Sequence, residues 1–213
     1  MHNNTHFEEI LLTQSTYDKV YAARQLKRAR NPFRLIIKSF YLNNIIKDVY
    51  GPAIDFGCGA GQLLKKLPTG SIGFEVNPYL VETLSGKLNI KRYYPQKNGL
   101  TFSDLPVGYF KTFIMSHVLE HFEDVTGSLK KLLRSCRKLG IKRVIIVVPG
   151  KKGFLFDDTH KTFIDYDFLE NEKILDIEGY AFISRSYFPV NISKIGNLFT
   201  FHEMKIIYDS IYD

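Results

Sequence analysis

Three groups of residues in this 213-residue chain carry chemistry by their types and spacing. The run "AIDFGCGAGQLL" places Gly57, Gly59 and Gly61 at every second position directly after Asp55. Glycine adopts positive φ and lets a ligand approach the main chain where a Cβ would block it, so a loop of this kind between a strand and a helix is a ligand cradle. Glu75, in "SIGFEVNPYL", stands about 20 residues past the first glycine, where a carboxylate accepts hydrogen bonds from ribose hydroxyls. The other two groups are His117, Glu120 and His121 in "SHVLEHF", and Asp157, Asp158 and His160 in "DDTHKTF". A histidine titrating near neutrality takes a proton from a reacting hydroxyl, and His160 is the first choice of base, ahead of His121. Structural roles stand beside these readings. Glu75 suits the first turn of a following helix, and Glu120 and His121 suit a helix start with bonds to backbone groups.

These residues need elements that bring them to one place. Short β-rich runs fall at residues 52–56, 71–75, 90–94, 110–115 and 143–148, with helical stretches after most of them. That alternation predicts a Rossmann-like α/β sheet, mostly parallel, with helices on both faces and a helix starting near Ala60. The run Val144 to Pro149 offers no polar side chain to solvent and reads as a central strand. "IDYDFLENEKILDIEGY" reads as a helix closed by Gly179. "AFISRSYFP" and "LFTFHEMKIIYD" read as two last strands paired antiparallel, since no helical crossover separates them. In a parallel sheet the residues after neighbouring strands emerge at one carboxyl edge, so the two histidine clusters converge. Residues 15–48 predict two helices broken at Asn31-Pro32, with Tyr17, Tyr21 and Arg34 placed to close over the edge.

Composition narrows the classes. With 45% hydrophobic and 24% charged residues, the chain is sized for one domain, in which residues 1–50 form leading helices and a lid, and residues 51–213 the core. No apolar run reaches the roughly 20 residues of a membrane span, and the start "MHNNTHFEEI" is unlike a secretory signal, so the expected compartment is the cytoplasm. Two cysteines, Cys58 and Cys136, fit neither a disulfide framework nor a zinc spacing. The net charge of +7 is concentrated in Arg24–Lys38 and Leu129–Arg143. Such segments bind phosphates or RNA, or are the solvated faces of amphipathic helices; Leu129, Leu132, Leu133 and Cys136 at helical spacing favour the second role.

The spacing Asp55-x-Gly57-x-Gly59-x-Gly61 departs from the dinucleotide fingerprint, whose third glycine falls at Gln62. It resembles the first motif of the class I S-adenosylmethionine-dependent methyltransferases, and "YFKTFIMSHVLEHF" is similar to their fourth strand except that Lys111 replaces an aspartate. The resemblance covers roughly residues 50–190. It implies S-adenosyl-L-methionine as cofactor, held by Asp55, Gly57, Cys58, Gly59, Gly61, Glu75, Val76, Asn77, Ser116 and His117. It further implies methyl transfer, with His160, His121 and His117 as catalytic candidates. Metal-dependent relatives carry E-x-x-E-H after this strand; here His117-x-x-Glu120-His121 matches in part, so Glu120, His121 and His160 are candidate ligands of a divalent metal. The acceptor expected is a small molecule or a glycan- or lipid-linked intermediate methylated at oxygen. RNA is the competing acceptor, and a cofactor-binding module without catalysis is the non-enzyme alternative. The oligomeric state is open.

Overall fold

The computed structural model describes residues 19–30, 32–94, 102 and 104–212. Eight strands form one sheet in the order β3-β2-β1-β4-β5-β8-β7-β6. β1 (Ala53–Phe56), β2 (Ile72–Glu75), β3 (Ile90–Arg92), β4 (Thr112–Ser116) and β5 (Arg143–Pro149) run parallel. β8 (Glu203–Ser210) lies antiparallel between β5 and β7 (Tyr180–Phe188), and β6 (Asp176–Ile177) pairs antiparallel with β7. The expected mostly parallel, doubly covered sheet with an antiparallel end is therefore present, and β5 is central because apolar side chains point to both of its faces.

Alternation along the strands assigns the two cores. Phe113, Met115, Val144 and Ile146 face helix α4 (Val125–Lys138), whose Leu129, Leu132, Leu133 and Cys136 are fully buried. Ile114, Ile145 and Val147 face the other way, onto Leu42 and Ile45 of α2 (Pro32–Ile46). Each fully buried leucine stabilises by about 2 kcal/mol. Lys130, Lys131, Arg134, Arg137 and Lys138 occupy the exposed side of α4, so this basic segment is the solvated face of an amphipathic helix. Asp124 caps the helix start by accepting from the Gly127 amide at 2.8 Å.

The remaining helices are α1 (Lys19–Arg30), α3 (Pro78–Leu84), α5 (Lys151–Phe154) and α6 (Tyr166–Asn171). Three expectations are corrected. No α-helix starts near Ala60: residues 57–63 turn without regular structure and lead only to a single 3-10 turn, Leu64–Lys66. Nor does one helix extend to Gly179; α6 stops at Asn171, and the chain forms β6 before a tight turn. Glu178 at φ 54° and Gly179 at φ 87° make a two-residue hairpin connection. Positive φ at both positions matches the right-handed twist of the flanking strands, and this outweighed the helical pattern of the apolar residues before it. The last strand also begins later than expected, at Glu203.

Candidate active site

The glycine loop leaves β1 at the carboxyl edge. Gly57 has φ +75°, and a Cβ there would lie 2.4 Å from Val118 Cγ2; the neighbour that excludes a side chain is protein. Gly59 differs: φ is +52°, and the nearest atom to a Cβ would be Gln25 Oε1 at 4.0 Å, so space opens over this residue. The loop amides are largely engaged, because Gly57 and Cys58 donate to the Phe74 carbonyl at 2.9 and 3.1 Å, and Gly61 donates to the Cys58 carbonyl at 2.9 Å. With these amides engaged and no α-helix following, the loop is not a cluster of free N–H groups at a helix N-terminus.

It presents acids. Glu75 is buried; its Oε2 accepts from the Gly59 amide at 2.7 Å and its Oε1 from the Asn77 amide at 2.9 Å. Burial raises its pKa, while those amides oppose the rise. Asp55, one strand away, is 2% exposed, and its Oδ2 has no hydrogen-bond partner among the described residues. Burial first, and repulsion from Glu75 second, push its pKa up to about 7. A crevice with two buried carboxylates repels phosphate and favours a ligand bearing positive charge and hydroxyl donors. Asn77 is the N-cap of α3, accepting from the Tyr79 amide at 2.9 Å and the Leu80 amide at 3.3 Å, which fixes the turn that holds Glu75.

A second group lies after β4. Glu120 is fully buried, yet neither of its oxygens accepts a hydrogen bond from the described residues. Around it stand His117 Nδ1 at 3.3 Å and His160 Nε2 at 3.7 Å from Oε1. One ligating atom each from Glu120, His121 and His160 fall within 4.8 Å of one another. His160 Nδ1 lies 2.8 Å from the Phe154 carbonyl, and His121 Nδ1 lies 3.2 Å from the Thr159 carbonyl. A carbonyl only accepts, so both rings carry a proton on Nδ1, and in the neutral ring Nε2 is the free acceptor. Burial, with His160 adding to it, holds His121 below the usual imidazole value against the pull of Glu120.

Residues 54–143 match the family model described as a methyltransferase domain. Among solved structures, the chain is similar to a SAM-dependent methyltransferase from Archaeoglobus fulgidus, with 19% identity, a TM-score of 0.61 and coverage of 91% of this chain and 100% of that one. It is also similar to N-methyltransferase NodS from Bradyrhizobium japonicum WM9 in complex with S-adenosyl-l-homocysteine, with 14% identity, a TM-score of 0.59 and coverage of 92% and 99%. The small RNA methyltransferase HEN1 shares the fold at 19% identity and a TM-score of 0.56 over 82% of this chain and 25% of that one. Among curated proteins no sequence matches the chain. The chain has the fold of the S-adenosylmethionine-dependent methyltransferases, and its residues 54–143 match a methyltransferase domain.

The fold and the methyltransferase-domain match imply S-adenosylmethionine as the cofactor. The residues present suit such a group on chemical grounds: buried Asp55 and Glu75 would offer carboxylate oxygens to a sulfonium, an ammonium or ribose hydroxyls. Asp55, Gly59, Glu75, Val76 and Ser116 stand together at the carboxyl ends of β1, β2 and β4. The side chain of Cys58 instead packs inward with Leu64, Leu84 and Ile90, leaving only its backbone toward the crevice. Both cysteines are buried free thiols. Helix α1 lies over the loop through Gln25, whose Nε2 donates to Tyr21 Oη at 2.7 Å. Tyr17 lies outside the described residues.

His117 holds φ +56°, a left-handed conformation uncommon outside glycine, and both ring nitrogens face carboxylates: Nδ1 faces Glu120, and Nε2 faces Glu203 Oε1 at 2.7 Å with Tyr41 Oη also at 2.7 Å. Tyr41 and Glu203 are site residues that the sequence reading missed. Glu203 opens β8 and pairs with Pro149, so the antiparallel register carries an acid from the end of the chain to the edge of the site. An isolated acid at the first position of an apolar strand was the available signal. Asp157 serves a turn: its Oδ1 accepts from the Thr159 hydroxyl at 2.6 Å and amide at 3.0 Å.

Proposed function

We propose that the enzyme methylates a hydroxyl oxygen of a small-molecule or a glycan- or lipid-linked acceptor, with His160 as the proton acceptor. The observation that carries this reading is His160, its Nδ1 anchored on the Phe154 carbonyl and its Nε2 3.7 Å from the buried carboxylate of Glu120, which accepts no hydrogen bond among the described residues. S-adenosylmethionine supplies an electrophilic methyl on a sulfonium, and transfer is an in-line displacement with a neutral leaving group. The chain has three tasks: align the acceptor, exclude water, and take the hydroxyl proton. Phe154 orients His160 by its carbonyl and by stacking on the ring at 5.4 Å. Glu120 stabilises the imidazolium that forms when the proton arrives. His117, with Nδ1 toward Glu120 and Nε2 toward Glu203, bridges two buried acids and fixes the corner after β4.

The same donor set fits a divalent cation. Glu120, His121 and His160 offer one carboxylate and two Nε2 atoms with their Nδ1 protons anchored, a nitrogen-rich set suited to zinc, manganese or iron more than magnesium. Such an ion would lower the pKa of a bound hydroxyl. The basic last turn of α4 precedes β5 at the opposite end of the sheet, so it lends no support to an RNA acceptor. Transfer of a labelled methyl to a panel of hydroxyl and amine acceptors, with and without chelator, tests the reading. Hydroxyl products lost in His160→Ala support it, and amine products retained in that variant refute it.

A further inference from the structure

We infer that the surface beside the methyl-transfer site, built from residues 150–156 and 189–201, docks the enzyme on an anionic bilayer. Leu155 is 73% exposed, Phe156 80% and Leu198 77%, and Ile192, Phe199 and Phe201 are exposed with them. Large apolar side chains this accessible are rarely gathered on two adjoining segments of a soluble monomer unless they meet something. The segments are one surface, because the Gly150 amide donates to the His202 carbonyl at 2.7 Å and Lys152 Nζ donates to the Leu198 carbonyl at 2.9 Å. A Cβ on Gly153 would lie 2.7 Å from the Thr200 carbonyl oxygen, so the two backbones are in close contact there.

Charge selects the occupant. Lys151, Lys152 and Lys194 are exposed among these apolar residues, and neither segment contains an acid; the first acids are Asp157 and Asp158. Apolar tips interleaved with lysines suit an interface in which the tips enter the acyl boundary and the ammonium groups meet lipid phosphates. A second copy docked by a two-fold axis would set the same lysines against each other. A nucleic acid would use the lysines and phenylalanines, but the aliphatic tips of Leu155, Ile192 and Leu198 offer a polyanion nothing. Position gives the surface its purpose: Phe154, at the end of α5, stacks on His160, and Pro149 and Glu203 join the surface to the carboxyl edge. A membrane-borne acceptor would reach the base directly. Docking does not require the oxygen-directed chemistry proposed above.

The test is sedimentation of the full chain with vesicles of phosphatidylcholine alone and of phosphatidylcholine with phosphatidylglycerol, using wild type and the variant carrying Phe156→Ser and Leu198→Ser. S-adenosylhomocysteine titration on each protein is the control for folding, since neither exposed side chain touches the cofactor crevice. Wild type is expected to partition at least about tenfold more strongly onto the anionic vesicles, and the variant to lose about tenfold or more of that binding with unchanged affinity for S-adenosylhomocysteine. No binding of wild type to anionic vesicles, unchanged binding by the variant, or binding to single-stranded RNA in place of vesicles would overturn the inference. Vesicle binding without any affinity for S-adenosylhomocysteine would instead count against the methyltransferase reading and leave docking standing.

Discussion

Asp55→Asn should stabilise the ligand-free protein, and do so only as pH rises. Asp55 is buried with one oxygen unbonded among the described residues, and its pKa is pushed from 3.8 up to about 7 by burial and then by Glu75. Between those values the folded chain holds one proton more than the unfolded chain, so stability falls as pH climbs through the window and is flat on either side. Each pH unit inside it is worth about 1.4 kcal/mol, so from about pH 5 to about pH 7 the wild type loses about 3 kcal/mol through this one group. The asparagine keeps an oxygen for the bond from the Leu64 backbone amide and carries no charge. Urea unfolding followed by circular dichroism suits a chain without tryptophan. The stability difference between variant and wild type should be about 3 kcal/mol larger at about pH 8 than at about pH 5, or roughly 6–12 °C in melting temperature. Taking the difference cancels the titrating groups that do not interact with Asp55. Parallel pH profiles for the two proteins would refute the reasoning, because Asp55 would then ionise as easily inside the fold as outside it.

The two glycines should part company. Gly59→Ala meets open space and only the left-handed φ penalty of about 1 kcal/mol, so it should fold and lose cofactor affinity in calorimetry; Gly57→Ala meets Val118 and should unfold at visibly lower urea. Glu120→Gln should cut turnover on a hydroxyl acceptor by about 10²–10⁴-fold while S-adenosylhomocysteine affinity stays within about twofold, a split that loss of fold would not give. Arg143→Ala breaks a fork of 2.7 and 2.6 Å bonds to Asp209 at the amino end of β5, and should cost about 1 kcal/mol in urea unfolding without changing turnover.

The sheet was legible where side chains must satisfy two faces at once. Ile145, Val147 and Ile114 point one way and Val144, Ile146 and Phe113 the other, so uninterrupted apolar runs marked β4 and β5 within a residue or two. Asn77 and Pro78 start α3 by local chemistry, a capping side-chain oxygen and a first-turn proline. Elements decided by distant contacts were not legible. The Glu178-Gly179 hairpin depends on β7 reaching β8, and its apolar neighbours carry the same spacing as a helix. At the site, Glu75, Glu120, His121 and His160 could be named because they follow strands whose ends converge. Glu203 could not, since its place comes from antiparallel pairing with Pro149 at long range, and Tyr41 reaches His117 from a helix whose docking angle no local pattern encodes.

The central claim is that Asp55, Glu75 and the open backbone at Gly59 form the S-adenosylmethionine crevice. Calorimetric titration of S-adenosylmethionine into wild type and Glu75→Ala addresses it most directly, with circular dichroism confirming that the variant is folded. Stoichiometric binding by wild type and a loss of at least about tenfold in the variant is the predicted result, since a buried carboxylate that accepts from ribose hydroxyls is removed. Equal affinity in the two proteins would contradict the account.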